Sequence, residues 1–243
     1  TVLVVEDNAE LRNYLKQELS KTYKVLVALN GKRGYEMAIE KLPDLIVTDV
    51  IMPVMDGLQL CKKIKGDLKT SHIPLLMLSA KAMVKDRLEG IDSGADLYLS
   101  KPFEMDILKS SLAQLINSRQ IMFKKFYSGI TKDGKEKTTT LDNEFIQKTL
   151  QFITENITDP QLSVESLSAK LFLSRSQLYR KIKTLTGVSV NEFIRNVRLE
   201  KANEMMSKGY SSVSEVSFSV GFTSPSYFTK CYKLKYGEFP KKS

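Results

Sequence analysis

Histidine and cysteine are scarce in this chain, and long apolar runs are missing altogether. Its 243 residues include one histidine and two cysteines, which lie far apart in sequence. This scarcity argues against histidine-based metal sites and catalytic triads, and against a disulfide framework or a zinc site. No stretch approaches the roughly 20 apolar residues of a membrane-spanning helix, and no basic segment followed by an apolar one marks a signal peptide. We therefore expect a cytoplasmic protein whose chain makes no membrane contact.

The positive charge of the chain lies almost entirely in its last third. The net charge is +9, but residues 1–118 carry 16 basic and 16 acidic side chains, whereas residues 161–243 carry 14 and 6. This asymmetry is typical of a neutral module joined to one that binds nucleic acid. We therefore predict one domain at residues 1–119 and another at 142–243. Residues 120–141 lack sustained periodicity and form the predicted linker.

Short apolar runs alternate with helical patterns in the first domain. The runs are typical of buried strands and lie at residues 2–5, 23–29, 45–47, 74–78 and 95–99. Helical patterns follow each of them, including one near residues 84–90 and a last one that ends near Arg119. An alternation of this kind over about 120 residues predicts an α/β fold, a five-stranded parallel doubly wound sheet with helices on both faces.

Polar side chains stand at the ends of four of these predicted strands. They are Glu6 and Asp7, Asp49, Ser79 and Lys101. Asp49 alone could equally well be a turn residue. However, the carboxyl ends of parallel strands meet at one edge of the sheet, where ligands bind in open α/β folds. We therefore expect the three carboxylates, the hydroxyl and the ammonium to converge in one site.

Such a site has a definite chemistry. Crowded carboxylates repel one another, and Mg²⁺ relieves the repulsion because it prefers carboxylate oxygens, water and phosphate. Asp49 is then a nucleophile that can form an acyl phosphate. Lys101 can pair with one phosphoryl oxygen, and Ser79 can donate a hydrogen bond to another.

Two motifs give this domain a family resemblance. Residues 49–57 fit the pattern D-x-x-M-P-x-x-D-G, and Lys101-Pro102-Phe103 fits K-P-F. The first domain therefore resembles the receiver domains of response regulators. The resemblance implies that Asp49 accepts the phosphate and that the strand order is 2-1-3-4-5.

The same resemblance assigns further roles. It implies an acidic pocket of Glu6 and Asp7, a metal contact from the Ile51 carbonyl, and a switch made of the Ser79 hydroxyl and the Tyr98 ring. It also implies a cis peptide bond between Lys101 and the following proline.

The second domain shows only helical patterns. Ser163 caps a short predicted helix at 164–171, and Ser174 caps a basic one at 175–185, so the two form a helix-turn-helix. Its predicted outward-facing residues are Arg175, Gln177, Arg180, Lys181 and Lys183. The alternative is a helical bundle with a basic, solvated face.

A weak internal repeat favours the DNA-binding interpretation. Apolar positions in 164–171 recur 49 residues later, and those after the turn recur 50 residues later. The repeat predicts a second recognition helix at 224–236. A helix at 190–206 separates the units by about 26 Å, near the roughly 34 Å of one turn of B-DNA.

The second unit, residues 213–240, resembles the AraC/XylS family of DNA-binding domains. The resemblance implies that one helix of each unit contacts bases. We expect Lys183 and Lys233 to contact phosphates instead. In the first unit the base contacts are Arg175, Ser176, Tyr179 and Arg180, with Lys183 on phosphate. In the second unit they are Pro225, Ser226, Thr229 and Lys230, with Lys233 on phosphate. Gln177 on the outward face and Ser224 at the helix start complete the predicted DNA-binding set.

The two domains together predict a response regulator and not an enzyme. A histidine kinase, separate or fused upstream, phosphorylates Asp49 with Mg²⁺, and the phosphorylated protein forms a homodimer that binds double-stranded DNA and can engage RNA polymerase. Because the chain begins with Thr1, we expect it to be part of a longer protein. The alternative is a phosphorelay intermediate whose helical half docks a protein. A small haloacid-type phosphatase would need a second aspartate at the position of Ile51.

Overall fold

A computed structural model of the protein describes residues 1–80, 94–127, 140–208 and 212–240, with side chains described for these residues except 117–127 and 140. The helix predicted near residues 84–90 lies outside them. The chain divides into two compact units, and the main division falls at residue 143. None of the described helices is long and apolar enough to cross a membrane.

The first unit is built on five parallel strands. They are β1 (Val2–Val5), β2 (Val25–Ala28), β3 (Leu45–Asp49), β4 (Leu75–Ala80) and β5 (Leu97–Lys101). Their order in the sheet is β2-β1-β3-β4-β5, which confirms the predicted topology. The strands are mainly apolar because both faces of a parallel sheet are covered, and the polar residues of β3, β4 and β5 lie toward their carboxyl ends.

In the described part of this unit, four helices accompany the sheet: α1 (Ala9–Leu19), α2 (Gly31–Lys41), α3 (Gly57–Gly66) and α4 (Met105–Tyr127). The first three begin after Asn8, Asn30 and Asp56, whose side chains each accept a hydrogen bond from a backbone N–H three residues on. Each cap fixes the point at which the chain leaves the functional edge of the sheet.

Helix α4 is longer than the sequence pattern predicted. It continues to Tyr127, whereas the predicted helix ended near Arg119 and residues 120–127 were assigned to the linker. No glycine or proline interrupts residues 105–127, so nothing in the sequence terminates the helix earlier. The positions of the domain boundaries stay a prediction.

The sheet separates two apolar cores. Leu3 and Val5 of β1 point into one core, and Val2 and Val4 point into the other. All four are at most 1% exposed. This burial on both faces holds the strands in register, so that their carboxyl ends are level at one edge.

Helices make up the second unit. They are α5 (Thr140–Glu155), α6 (Val164–Lys170), α7 (Arg175–Thr186), α8 (Val190–Ser207), α9 (Val213–Ser219) and α10 (Pro225–Tyr236). The last five agree with the predicted helices to within a residue or two. Between residues 144 and 240, the described part of the chain contains no strand.

The repeat is visible in the backbone. In the first turn the N–H of Phe172 donates to the carbonyl of Ala169, and 49 residues later the N–H of Gly221 donates to the carbonyl of Phe218. Both turns place one residue in the left-handed region, with φ of 54° at Phe172 and 79° at Gly221. The turns of the two helix-turn-helix units therefore have similar backbone conformations.

The prediction that Lys181 faces outward is wrong. Lys181 is 1% exposed, and its ammonium lies 5.0 Å from the centroid of the Phe145 ring. The reason is helical spacing, because Lys181 follows the fully buried Leu178 by three residues and so shares its inward face. Its long apolar stem and the aromatic ring make this burial tolerable.

Candidate phosphoacceptor and DNA-binding sites

Three carboxylates meet at the carboxyl edge of the sheet, as predicted. Glu6 and Asp7 follow β1, and Asp49 ends β3, the neighbouring strand. One carboxylate oxygen from each lies within 4.8 Å of the others. Three acids at this separation repel one another unless a cation lies among them.

Lys101 supplies part of that positive charge. Its Nζ lies 3.1 Å from Glu6 Oε2 and 3.0 Å from Asp49 Oδ2. Lys101 ends β5, and its register partner on β4 is Ala80, so β4 separates it from Asp49 in the sheet. The long side chain spans this distance and joins two of the acids.

Asp49 combines a fixed orientation with access to solvent. Its Oδ1 accepts a hydrogen bond of 2.8 Å from the N–H of Val50, and its side chain is 16% exposed. By contrast, the Glu6 side chain is only 1% exposed. Among the three acids, Asp49 is therefore both oriented and open to a reaction partner.

Glu6 has an unusual electrostatic environment. Burial raises the pKa of its carboxyl above the ordinary value, and the charge of Asp49 raises it further. The hydrogen bond and charge of Lys101 and the N–H of Asn8 oppose this shift but do not cancel it. A further cation bound among the three carboxylates would reduce their mutual repulsion.

The donor set fits a magnesium ion. Mg²⁺ is bound in proteins by one or two carboxylates together with water and phosphate oxygens. Glu6, Asp7 and Asp49 offer such oxygens within one ion's reach of each other. An acidic pocket of this kind is where receiver domains bind Mg²⁺.

Ser79 lies at the same edge, near the end of β4. It is 1% exposed, and its Oγ has no hydrogen-bond partner among the described residues. A buried hydroxyl without a partner is rare and costly, so the group is available to a ligand oxygen. Tyr98 is half-buried on β5, opposite Met77 of β4, and packs on one of the two cores. Its role as a switch stays a prediction.

The peptide bond between Lys101 and Pro102 is cis, which confirms the implied geometry. Ile51 follows β3 by two residues and is 63% exposed. Its position is compatible with a metal contact from its carbonyl, and that contact also stays a prediction.

The sequence patterns did not reveal the residues that support the site. Arg12 of α1 donates from Nη1 to the carbonyls of Glu6 and Asp7, at 2.9 and 3.0 Å. Gly57 donates its N–H to the carbonyl of Val50, and a Cβ there would lie 2.0 Å from the carbonyl oxygen of Asp49. The Asp-Gly pair predicted a turn, but only the folded chain brings that turn against the acid.

The predicted DNA-binding residues fall on the two basic helices of the second unit. Those that are exposed on α7 are Arg175, Ser176, Tyr179 and Lys183, and those on α10 are Ser226, Lys230 and Lys233. Gln177, Arg180, Ser224, Pro225 and Thr229 are partly exposed.

Several residues of this predicted set have partners within the domain, among them Arg175 and Lys233. Arg175 pairs with Glu165 at 3.0 Å, and the Lys233 ammonium lies 4.2 Å from the Phe239 ring centroid. Arg175 and Lys233 are both exposed to solvent, so DNA contact would require only local rearrangement of their side chains.

Comparison with known proteins identifies both halves. A family model described as response regulator receiver domain matches residues 2–113, and another described as helix-turn-helix domain matches residues 167–243. The chain joins a response regulator receiver domain to an AraC-type helix-turn-helix domain.

The relatives match this chain over only part of their own length. Histidine kinase P4 of Formosa agariphila is 38% identical over 241 residues, which cover 99% of this chain and 18% of that protein. The transcriptional regulator RpaA of Synechocystis is 34% identical over 116 residues, 47% of this chain and 48% of that protein. The chain thus spans half or less of the length of these relatives.

A solved structure also resembles the receiver domain. It is the signal receiver domain of a histidine kinase from Syntrophus aciditrophicus, 29% identical, with a TM-score of 0.43, covering 56% of this chain and 95% of that one.

Proposed function

We propose that a histidine kinase phosphorylates Asp49 and that the phosphoryl group controls sequence-specific DNA binding and transcription. One observation carries the proposal: Asp49, oriented by the N–H of Val50, is accessible to solvent between Lys101 and two further acids. In the reaction, an Asp49 oxygen attacks the phosphorus of a phosphohistidine. The P–O bond forms as the P–N bond breaks, and the released imidazole takes a proton.

The surrounding residues prepare this transfer. Lys101 pairs with Asp49 before the transfer and afterwards pairs with a phosphoryl oxygen. The partnerless hydroxyl of Ser79 donates a hydrogen bond to a second oxygen. Mg²⁺ held by Glu6, Asp7, Asp49 and the Ile51 carbonyl would offset the negative charge that the phosphoryl group brings.

The new bonds provide the switch. When Ser79 and Lys101 turn to the phosphoryl group, the ends of β4 and β5 shift, and the Tyr98 ring changes its rotamer. We propose that these changes promote a homodimer and thereby raise DNA affinity. Contact with RNA polymerase would follow from the position on DNA.

The helical half supports DNA as the target. Helix α8, with 18 residues, spans about 27 Å and separates the two helix-turn-helix units by nearly one turn of B-DNA. The basic side chains on α7 and α10 are suited to phosphates, whose counterions they displace. DNA affinity should therefore fall steeply as salt is raised.

Phosphorylation is tested with a small phosphodonor and Mg²⁺. Mass spectrometry should find one phosphoryl group per chain in the parent and none in Asp49→Asn. A matched control is Asp56→Asn in the same loop, because Asp56 caps α3 through a hydrogen bond that asparagine can also accept. Labelling of Asp49→Asn, or loss of labelling in Asp56→Asn, would contradict the assignment.

A second candidate is a phosphorelay intermediate whose helical half docks a protein. It is favoured by the F. agariphila relative, a histidine kinase of which this chain matches 18%. A shift assay with duplex DNA at several salt concentrations separates the two. Salt-dependent binding favours a transcription regulator, and the absence of binding favours the relay.

A further inference from the structure

Arg198, in the middle of α8, binds two turns of the second unit at once. Its Nη1 donates to the carbonyl of Gly221 at 3.0 Å, and its Nη2 donates to the carbonyl of Asp159 at 2.5 Å. Gly221 lies in the turn between α9 and α10, and Asp159 lies in the loop between α5 and α6. One guanidinium therefore joins α8 to the turn of the second helix-turn-helix unit and to the loop that leads into the first.

The turn at Gly221 is pressed tightly against this arginine. A Cβ at position 221 would lie 2.4 Å from the carbonyl oxygen of Ile157 and 2.8 Å from Arg198 Nη2. The φ of 79° at Gly221 independently favours glycine. Three backbone segments thus meet at Arg198 with no room for a side chain.

The described hydrogen bonds of the Arg198 guanidinium go to backbone carbonyls and not to a carboxylate. Its Nε is buried and has no hydrogen-bond partner among the described residues. Burial lowers the pKa of its guanidinium, although the nearby Asp159 opposes that shift. A partly buried cation whose Nη donors bind backbone carbonyls has a desolvation cost, and the hydrogen bonds to Gly221 and Asp159 offset part of it.

Among the described residues, the corresponding positions of the first helix-turn-helix unit form no such clamp. The 49-residue repeat matches Arg198 with Thr149 and Gly221 with Phe172. Thr149 donates to the carbonyl of Phe145 in its own helix, and Phe172 is 91% exposed. The turn before α7 is thus open, whereas the turn before α10 is held by α8.

We propose that Arg198 is a positioning residue that fixes recognition helix α10 for DNA. Helix α10 begins four residues after Gly221, so holding that turn also holds the start of the helix. Without the clamp, ordering α10 on DNA would cost additional conformational entropy. The inference rests on the proposed DNA-binding function and adds that Arg198 governs reading of the half-site that α10 contacts.

The test begins with selection of duplexes from a random library by the parent chain. Binding is then measured on the selected duplex and on duplexes with single base-pair changes in each half. Lys230→Ala, on α10, identifies the half that α10 reads. The positioning variants are Arg198→Met and Arg198→Lys. The matched control is Lys201→Met on the same helix, whose ammonium pairs with Glu204 of that helix.

For Arg198→Met we expect the penalty for a wrong base pair to fall from about tenfold to about twofold in the half read by α10. The penalty in the other half should stay near the parent value, and Lys201→Met should match the parent in both. Arg198→Lys should show the same half-selective loss to a smaller degree, because one ammonium cannot span both carbonyls. This variant decides the test if circular dichroism shows that Arg198→Met is unfolded.

Equal losses in both halves, or no loss in either, would overturn the positioning role while leaving DNA binding intact. If the parent selects no sequence at all, the proposed function fails and this inference fails with it.

Discussion

At the scale of single residues, Gly57 shows how closely the backbone is fitted around Asp49. A Cβ at this position would lie 2.0 Å from the carbonyl oxygen of Asp49, which is far inside van der Waals contact. The neighbouring N–H of Gly57 also holds the carbonyl of Val50. The backbone around Asp49 therefore depends on a residue that donates its N–H and has no side chain.

We predict that Gly57→Ala destabilises the receiver domain by about 2 kcal/mol or more, because the loop must move to admit the methyl group. Phosphorylation of Asp49 should slow in the same variant. Chemical denaturation and the rate of labelling measure the two effects. Gly66→Ala is the control, since a Cβ there meets nothing within 4 Å. Equal stabilities of the two variants would refute the steric argument.

Val54 is strained in the same loop. Its φ is 71°, which is costly for a β-branched residue, and its side chain is 77% exposed and so gains little from packing. Val54→Asn should raise the free energy of unfolding by about 1 kcal/mol, because asparagine tolerates this conformation. Thermal unfolding tests it, and an unchanged or lower Tm would show that Val54 is not strained.

At the scale of elements, a buried ion pair ties α3 to the sheet. Lys65 Nζ lies 2.6 Å from Asp96 Oδ2, and the same oxygen accepts the N–H of Leu75 at the start of β4. Both side chains are mostly buried, at 8% and 15% exposure. The pair lies at the sheet edge opposite Asp49 and fixes the register of β4 with its neighbour.

Asp96→Ala should cost about 3–5 kcal/mol, because it leaves the Lys65 charge buried without its partner. Glu36→Ala removes an exposed ion pair with Arg33 and should cost less than about 1 kcal/mol. Urea denaturation of both variants measures the difference. A cost for Asp96→Ala as small as that for Glu36→Ala would mean that the buried pair adds no stability.

The elements also show what a sequence can predict. The strands at the core were predictable because continuous apolar runs are required when a sheet is covered on both faces. The end of α4 was predicted too early, because the helix continues to Tyr127 without an internal proline or glycine, and the next glycine in the sequence is Gly129. Lys181 was assigned to the outward face because of its charge, although its spacing from Leu178 places it on the inward face, where its ammonium lies near the Phe145 ring.

Some functional residues could likewise be predicted from the sequence, and others could not. Glu6, Asp7, Asp49, Ser79 and Lys101 could be identified from strand ends because topology alone brings those ends together. Arg12 and Arg198 could not, since the role of each depends on the backbone carbonyls to which it donates. Backbone carbonyls leave no mark on the pattern of residue types.

At the scale of the whole molecule, the chain separates a neutral domain from a basic one. Lys233→Ala should reduce the slope of log affinity against log salt by about 1 and weaken binding to all duplexes alike. Thr229→Ala should instead relax discrimination at one base pair. Titrations at several salt concentrations measure both. Sequence-selective loss in Lys233→Ala would contradict its assignment to phosphate.

The central claim is that the phosphoryl group on Asp49 controls the occupancy of DNA by the other domain. The most direct test measures the affinity of the parent and of Asp49→Asn for a selected duplex, with and without a small phosphodonor and Mg²⁺. We predict that the phosphodonor changes the affinity of the parent about fivefold or more and leaves Asp49→Asn unchanged. An equal response of the two proteins, or an unchanged affinity of the fully phosphorylated parent, would contradict the claim.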